Sequence, residues 1–178
     1  MPRPEFRNNK EIIDSMIRVD HAGEYAANLI YEAQIEANKN KENQKQLEHM
    51  LAQEQKHLSF FAQEMQKRGT RPSALLPIWK IVSYNLGFIT SKFGIKTAML
   101  CTEAVEDVIE RHYSEQLEAL DGNEKEQSLA KNIAVFRQEE IEHKDLAINY
   151  NDNSRLSAVI ASLIGMMCNT AITLSKKL

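Results

Sequence analysis

Two Glu-x-x-His pairs carry the most chemistry in this chain: Glu54 with His57, and Glu140 with His143. Residues three apart share a helix face, so each pair aims a carboxylate and an imidazole at one point. Two further glutamates, Glu24 and Glu106, lie on the segments just upstream of these pairs. Carboxylate oxygens and neutral imidazole nitrogens form a ligand set for a dinuclear cation, and they suit iron and manganese alike. Four carboxylates gathered inside a protein cannot all stay ionised unless positive charge is brought among them. Two divalent cations would offset all four, with Glu24 and Glu106 placed to cap or bridge the pair.

The spacing of the neighbours says that these side chains face a core. Ile13, Ile17, Asp20, Glu24, Ala27, Tyr31 and Gln34 step by four and three along one side of a helix. Leu47, Met50, Glu54, His57, Phe61 and Met65 do the same, as do Met99, Thr102, Glu106, Ile109, Tyr113 and Leu117. A fourth stripe runs through Leu129, Ile133, Phe136, Glu140, His143 and Tyr150. Residues 24–37 (EYAANLIYEAQIEA) are echoed by residues 106–119 (EDVIERHYSEQLEA), and each stretch precedes one Glu-x-x-His, so the chain reads as two copies of one helical hairpin. A lone core histidine is more often a hydrogen-bonded packing residue, and a helical glutamate usually faces water. The conjunction of paired motifs, matched stripes and repeat favours the metal.

Other titratable residues are read from their place on or off the stripes. Glu103, Glu110, Glu139 and Glu142 lie off them and are expected in solvent; His21 and His49 are expected outside the site, and His112 fits either place. A metal-binding histidine needs an acceptor on its second ring nitrogen, and Asp20 and Asp145 are the candidates. Tyr31 and Tyr113, two turns past Glu24 and Glu106, are either core aromatics with a satisfied hydroxyl or groups that deliver protons or electrons.

The elements that must position these residues are all helical. Helices are expected over 9–38, 43–68, 95–120, 124–149 and 154–174, with polar or glycine breaks at 38–43, at Gly69 with Pro72, at Asp121-Gly122 and at Asn151-Asp152-Asn153. An apolar crossover over 73–94 holds Trp79, Pro77 and Gly87. Short loops make antiparallel pairs, and one long crossover between the pairs is the ferritin-like arrangement of a four-helix bundle. The fold expected is therefore all-α, one ferritin-like domain spanning 1–178, with an apolar crossover and an additional C-terminal helix. The formal charge of −3 argues against a nucleic-acid partner. Cys101 and Cys168 stand apart in apolar stretches, which suits neither a disulfide framework nor a cysteine zinc site. The start Met1-Pro2-Arg3-Pro4-Glu5 lacks the apolar run of a secretory signal, and the default is a cytosolic helical protein.

Four strings, Arg18-Val-Asp-His-Ala-Gly-Glu24, Glu54-x-x-His57, Cys101-Thr-Glu-Ala-Val-Glu106 running on to His112-Tyr113, and Phe136-Arg-Gln-Glu-Glu-Ile-Glu-His143-Lys-Asp145, resemble the demethoxyubiquinone hydroxylases. The resemblance covers nearly the whole chain. It implies a ferritin-like di-iron monooxygenase of ubiquinone biosynthesis, with Glu24, Glu54, His57, Glu106, Glu140 and His143 holding two iron ions. It further implies O₂ as co-substrate, an external reductant, and a polyprenyl demethoxyubiquinol whose ring is hydroxylated to the demethylubiquinol. Such a substrate lives in a bilayer, so a membrane-facing surface is required. The crossover offers one, from Leu75, Leu76 and Trp79 to Phe88 and Ile89, with Lys67, Arg68, Arg71, Lys80 and Lys92 nearby. The apolar part of the last helix, Ala158 to Leu174, at about 17 residues is short for a span. Peripheral association is expected, on the cytoplasmic face of a bacterial inner membrane, with the crossover and the last helix as the contact. The same segments could instead pack on the bundle, against a second copy, or against a partner protein of the pathway. The rival functions are another di-iron or di-manganese oxidase, such as a ferroxidase, and a metal-free helical interaction module.

Overall fold

The computed structural model describes residues 4–150 and 154–176. The N-terminal Met1-Pro2-Arg3 and the break Asn151-Asp152-Asn153 lie outside the described residues. Among those described there are six α-helices and no strand: α1 (Pro4–Ala37), α2 (Lys41–Arg68), α3 (Leu76–Lys92), α4 (Ile95–Leu120), α5 (Gln127–Ile148) and α6 (Arg155–Ser175). A short 3₁₀ turn, Glu124–Glu126, precedes α5, where the sequence suggested one continuous helix. The expected bundle is present. The first helix begins at Pro4 rather than near 9, while the last, Arg155–Ser175, falls within one residue of the range expected.

The ends of the helices follow local chemistry. Asn40 caps α2 by accepting from the amides of Glu42 and Asn43 at 2.9 and 3.2 Å. Gly69 ends α2 with φ of 68°, a left-handed conformation that costs glycine nothing.

α1 pairs with α2 and α4 with α5, as short loops dictate; α3 packs along α1, and α6 along α4. The two hairpins meet around one continuous interior. Phe61, Ile17, Tyr113 and Ile133 fill one end of it, and Tyr31, Leu47, Met50 and Met99 the other. Between these apolar layers sits the polar middle of the four stripes. The third helix comes unusually close to the first at Gly87, where an added Cβ would lie 2.3 Å from the Ile30 carbonyl oxygen. Trp79 Nε1 donates to Ser175 Oγ at 3.2 Å and ties α3 to α6.

Candidate metal centre

Every one of the six ligand candidates is buried. Glu24 and Glu106 are 1% exposed, Glu54, His57 and Glu140 fully enclosed, and His143 3% exposed. Their donor atoms converge as two overlapping sets, Glu24, Glu54, His57 and Glu140, and Glu54, Glu106, Glu140 and His143, with the atoms of each set within 4.8 Å of one another. Glu54 and Glu140 belong to both sets, Glu24 and Glu106 to one each. His57 Nδ1 lies 3.1 Å from Glu140 Oε1 and 3.5 Å from Glu24 Oε2; His143 Nδ1 lies 3.2 Å from Glu54 Oε1 and 3.3 Å from Glu140 Oε2.

Among these residues Glu24 Oε2, both oxygens of Glu54 and of Glu140, Glu106 Oε2, and the Nδ1 atoms of His57 and His143 have no hydrogen-bond partner. Buried polar atoms are rarely left unmade, because each forfeits its hydration. Eight such atoms aimed at one small volume match the demand of cations placed between them, so the residues fit a metal pair.

Electrostatics without the cations tell the same story. Burial first, and then the carboxylates of Glu140, Glu24 and Glu106, push Glu54 well above the usual carboxylate range. Burial and Glu140 do the same to Glu106, against the hydrogen bond from Tyr31. Burial alone would lower His57, but Glu24 and Glu140 outweigh it and raise the imidazole to about 11. Burial would raise Glu140, but the imidazoles of His143 and His57 beside it hold it down to about 2. The pocket thus takes up protons where cations would otherwise sit.

The support of this cluster is reciprocal between the hairpins. Tyr31 on α1 donates to Glu106 Oε1 on α4 at 2.6 Å, and Tyr113 on α4 donates to Glu24 Oε1 on α1. His57 Nε2 meets Glu139 Oε2 at 2.5 Å, and His143 Nε2 meets Gln53 Oε1 at 3.0 Å. Gln53 and Glu139 each directly precede the Glu of a Glu-x-x-His, and each serves the histidine of the other hairpin. These two residues take the places expected of Asp20 and Asp145. Asp145 is exposed on the outer face of α5. Asp20 is buried but accepts from Gln116 Nε2 at 2.6 Å and lies 3.6 Å from His112 Nε2, which places His112 beside Asp20 and outside the ligand sets.

Of the four off-stripe glutamates expected in solvent, Glu142 is exposed and Glu103 half-buried. Glu139 is corrected by its bond to His57, and Glu110 by ion pairs to Arg137 at 2.6 Å and Lys144 at 3.2 Å. His21 and His49 stand clear of the cluster, half-buried and exposed respectively. Gln53 and Glu139 were legible only through the repeat: both occupy the same position relative to their motifs.

A cavity of about 710 Å³ lies beside the cluster, between α1, α3, α4 and α6. Ala27, Ile30, Val105 and Ile109 line it on the turns that carry Glu24, Tyr31 and Glu106. Trp79 and Leu86 of α3 and Leu163 and Met166 of α6 line its outer part, and Leu163 and Met166 are exposed.

The sequence matches the family model described as "Ubiquinone biosynthesis protein COQ7" over residues 11–175. It is 38% identical over 173 residues to a Bos taurus protein named "NADPH-dependent 3-demethoxyubiquinone 3-hydroxylase, mitochondrial", covering 96% of this chain and 80% of the relative. A Rhodospirillum rubrum "3-demethoxyubiquinol 3-hydroxylase" is 39% identical over 155 residues, 86% of this chain and 71% of the relative. A Saccharomyces cerevisiae "5-demethoxyubiquinone hydroxylase, mitochondrial" is 37% identical over 176 residues, covering 90% and 76%. Match length and identity together settle the lineage: the chain belongs to the COQ7 family of ubiquinone biosynthesis proteins.

Proposed function

We propose that this protein is an O₂-dependent di-iron monooxygenase that hydroxylates the ring of a polyprenyl demethoxyubiquinol. The observation that carries the reading is the pair of overlapping ligand sets, with eight unpartnered donor atoms, set against an apolar cavity. Glu54 and Glu140 would hold both ions, Glu24 with His57 one, and Glu106 with His143 the other. When bound, the iron pair supplies the reduction of O₂ and the insertion of one oxygen atom into the ring.

The protein's own residues provide orientation and dryness. Tyr31 and Tyr113 hold Glu106 and Glu24 by their outer oxygens, leaving the inner oxygens free for the ions. Glu139 and Gln53 fix which ring nitrogen of His57 and His143 faces inward. The apolar walls around Ile30, Leu86 and Val105 accept an isoprenoid tail and exclude water from the reacting ring.

α3 and its cap expose Ile78, Ile81, Ile89 and Phe93, and α6 exposes Leu156, Val159 and the cavity-lining Leu163 and Met167. This apolar surface is the membrane contact, from which a bilayer quinol enters sideways. α6 has 21 residues and holds an 18-residue stretch of mean hydropathy 1.7, so it is long and apolar enough to cross a membrane, contrary to the short apolar stretch expected. Its inner face packs on α4 through Ile160, Ile164 and Cys168, which favours a helix lying on the membrane over one spanning it. Of the basic neighbours, Lys67 and Arg68 are engaged by Glu64, and Arg68 also by Glu126, which leaves Arg71, Lys80 and Lys92 for anionic headgroups. For a bacterial chain the membrane is the inner one, on its cytoplasmic face. Carbonate extraction separates the alternatives: a peripheral protein is released, a spanning one retained.

The test is anaerobic Fe(II) loading of the wild type, Glu54→Ala and Glu140→Ala, followed by O₂ and a demethoxyubiquinol in detergent. About two irons per chain, lost in both variants, with hydroxylated quinol formed by the wild type, supports the reading. Iron binding that both substitutions leave unchanged refutes the assignment of ligands, and loaded enzyme that forms no hydroxylated quinol refutes the reaction.

A further inference from the structure

The two hairpins are near copies, and at one end of the cluster the copy fails. The repeat that aligns Glu24 with Glu106 and Tyr31 with Tyr113 also aligns Gln34 with Gln116. At the remaining positions it sets Asp20 against Thr102 and His112 against Ile30. One end therefore has Thr102, Ile30 and Gln34, where Thr102 Oγ1 and Gln34 Oε1 are without a hydrogen-bond partner and Ile30 lines the apolar cavity. The other has an acid, an imidazole and an amide together: Gln116 Nε2 is 2.6 Å from Asp20 Oδ1 and 3.0 Å from His112 Nε2.

Two atoms of this second group are unmet. Asp20 is 4% and Gln116 2% exposed, and Asp20 Oδ2 and Gln116 Oε1 have no hydrogen-bond partner. On the outer side His112 and Gln116 floor a separate cavity of about 430 Å³ between α1, α4 and the end of α6, walled by Glu11, Ser15, Glu115 and Lys176. On the inner side Asp20 precedes Glu24 by one turn on the same stripe, and Tyr113, bonded to Glu24, follows His112 directly. The outer cavity thus reaches His112 and Gln116, which lie against Asp20, one helical turn from Glu24.

We infer that the outer cavity, His112, Gln116 and Asp20 form the proton inlet of the hydroxylation, with ordered water joining Asp20 Oδ2 and Gln116 Oε1. The inference rests on the hydroxylase reading above. Hydroxylation needs such an inlet. The ring C–H and O₂ become C–OH and water by taking up two electrons and two protons. The electrons come from a reduced nicotinamide, the donor in the printed names of the animal relatives. Its oxidation frees one proton and the solvent supplies the other, and both must reach a site whose substrate side is apolar. Asp20 Oδ2 holds the proton nearest the cluster and passes it toward Glu24; the bridging water reloads Asp20, and His112 connects that water with the outer cavity. The charged groups facing His112 are Asp20 and Glu11 from α1, Lys176 at the end of α6, and Glu115 on its own helix. Burial, against the Gln116 hydrogen bond, raises Asp20 well above the usual carboxylate range, so its carboxyl keeps a proton to higher pH than an exposed one does.

The experiment has two readouts on the iron-loaded enzyme. A high-resolution crystal structure is expected to place water on both Asp20 Oδ2 and Gln116 Oε1; finding these atoms dry overturns the inlet. In kinetics with reduced nicotinamide and demethoxyubiquinol, Asp20→Asn and His112→Ala are expected to keep full iron content while kcat falls by about tenfold to a hundredfold. Added imidazole, small enough for the outer cavity, is expected to restore His112→Ala but not Asp20→Asn. Wild-type rates in both variants, or a His112→Ala defect that imidazole leaves untouched, refute the relay alone. A wild type that binds iron and forms no hydroxylated quinol refutes the hydroxylase reading, and the relay with it.

Discussion

Loading the centre should expel protons. Glu54 and Glu106 are both raised by burial and by the carboxylates around them, so the metal-free protein keeps their protons to higher pH than free carboxyls do. His57, raised to about 11 by Glu24 and Glu140 against the effect of burial, holds a proton at pH 7. Glu140, held down to about 2 by the two imidazoles, has none to lose there. A metal pair needs all of these ligands deprotonated, so binding at pH 7 should release at least the His57 proton. The apparent constant for the pair should then rise at least about tenfold per pH unit near neutrality, roughly 1.4 kcal/mol. The sign is the same for the fold itself. All three groups bind protons more tightly folded than unfolded, so the metal-free protein should lose stability as pH rises above the ordinary carboxylate range, and further above that of histidine. The assay is calorimetric titration with Co(II) in two buffers of different ionisation heat at pH 6, 7 and 8, with a melting curve of the chelated protein at each pH. Release of no protons, or affinity that falls with rising pH, would refute the reasoning.

Three other outcomes follow from named contacts. Gly87→Ala drives a Cβ to 2.3 Å from the Ile30 carbonyl oxygen, so α3 must back away from α1; a loss of about 1–3 kcal/mol is expected. In a chain of this size that lowers Tm by roughly 2–4 °C per kcal/mol. Gly165→Ala, whose Cβ would meet only Val108 Cγ2 at 3.8 Å, should be neutral or stabilise by up to about 1 kcal/mol, and equal effects from the two would contradict the packing. Glu139→Ala removes the partner of His57 Nε2 and should weaken binding of one ion by roughly 10- to 100-fold while leaving the melting temperature nearly unchanged; metal titration decides, and undiminished affinity counts against the contact. The double substitution Ile81→Glu with Met166→Glu lies on exposed positions of α3 and α6 and should abolish flotation with anionic liposomes without unfolding the protein; persistent flotation would move the membrane contact elsewhere.

Much of this molecule is written in its periodicity. The step of three and four that joins Ile17 to Asp20, Glu24 and Ala27 is the step of the helix itself, so residues on it share a face wherever the helix packs. All seven positions of the first stripe are in fact buried, and Glu54, His57, Glu106, Glu140 and His143 with them. The long crossover and the short loops likewise restrict how four helices can be joined, which is why the bundle was legible before any coordinate.

Contacts between helices were not legible, because they depend on the rotation and vertical offset of one helix against another. Asp20 and Asp145 were placed near the histidines by counting along their own helices, whereas Glu139 and Gln53 reach them from the neighbouring one. The crossed tyrosines, the approach at Gly87 and the buried group of Asp20, His112 and Gln116 have the same origin. The amino-acid sequence alone determined the buried stripes and that carboxylates and imidazoles would be among them, since helical period and hydrophobicity are local properties. Tertiary structure alone decided which carboxylates belong to both clusters, which side chain steadies each histidine, and where the two cavities lie. Those depend on interhelical distances of a few ångströms, which no spacing within a single helix can encode.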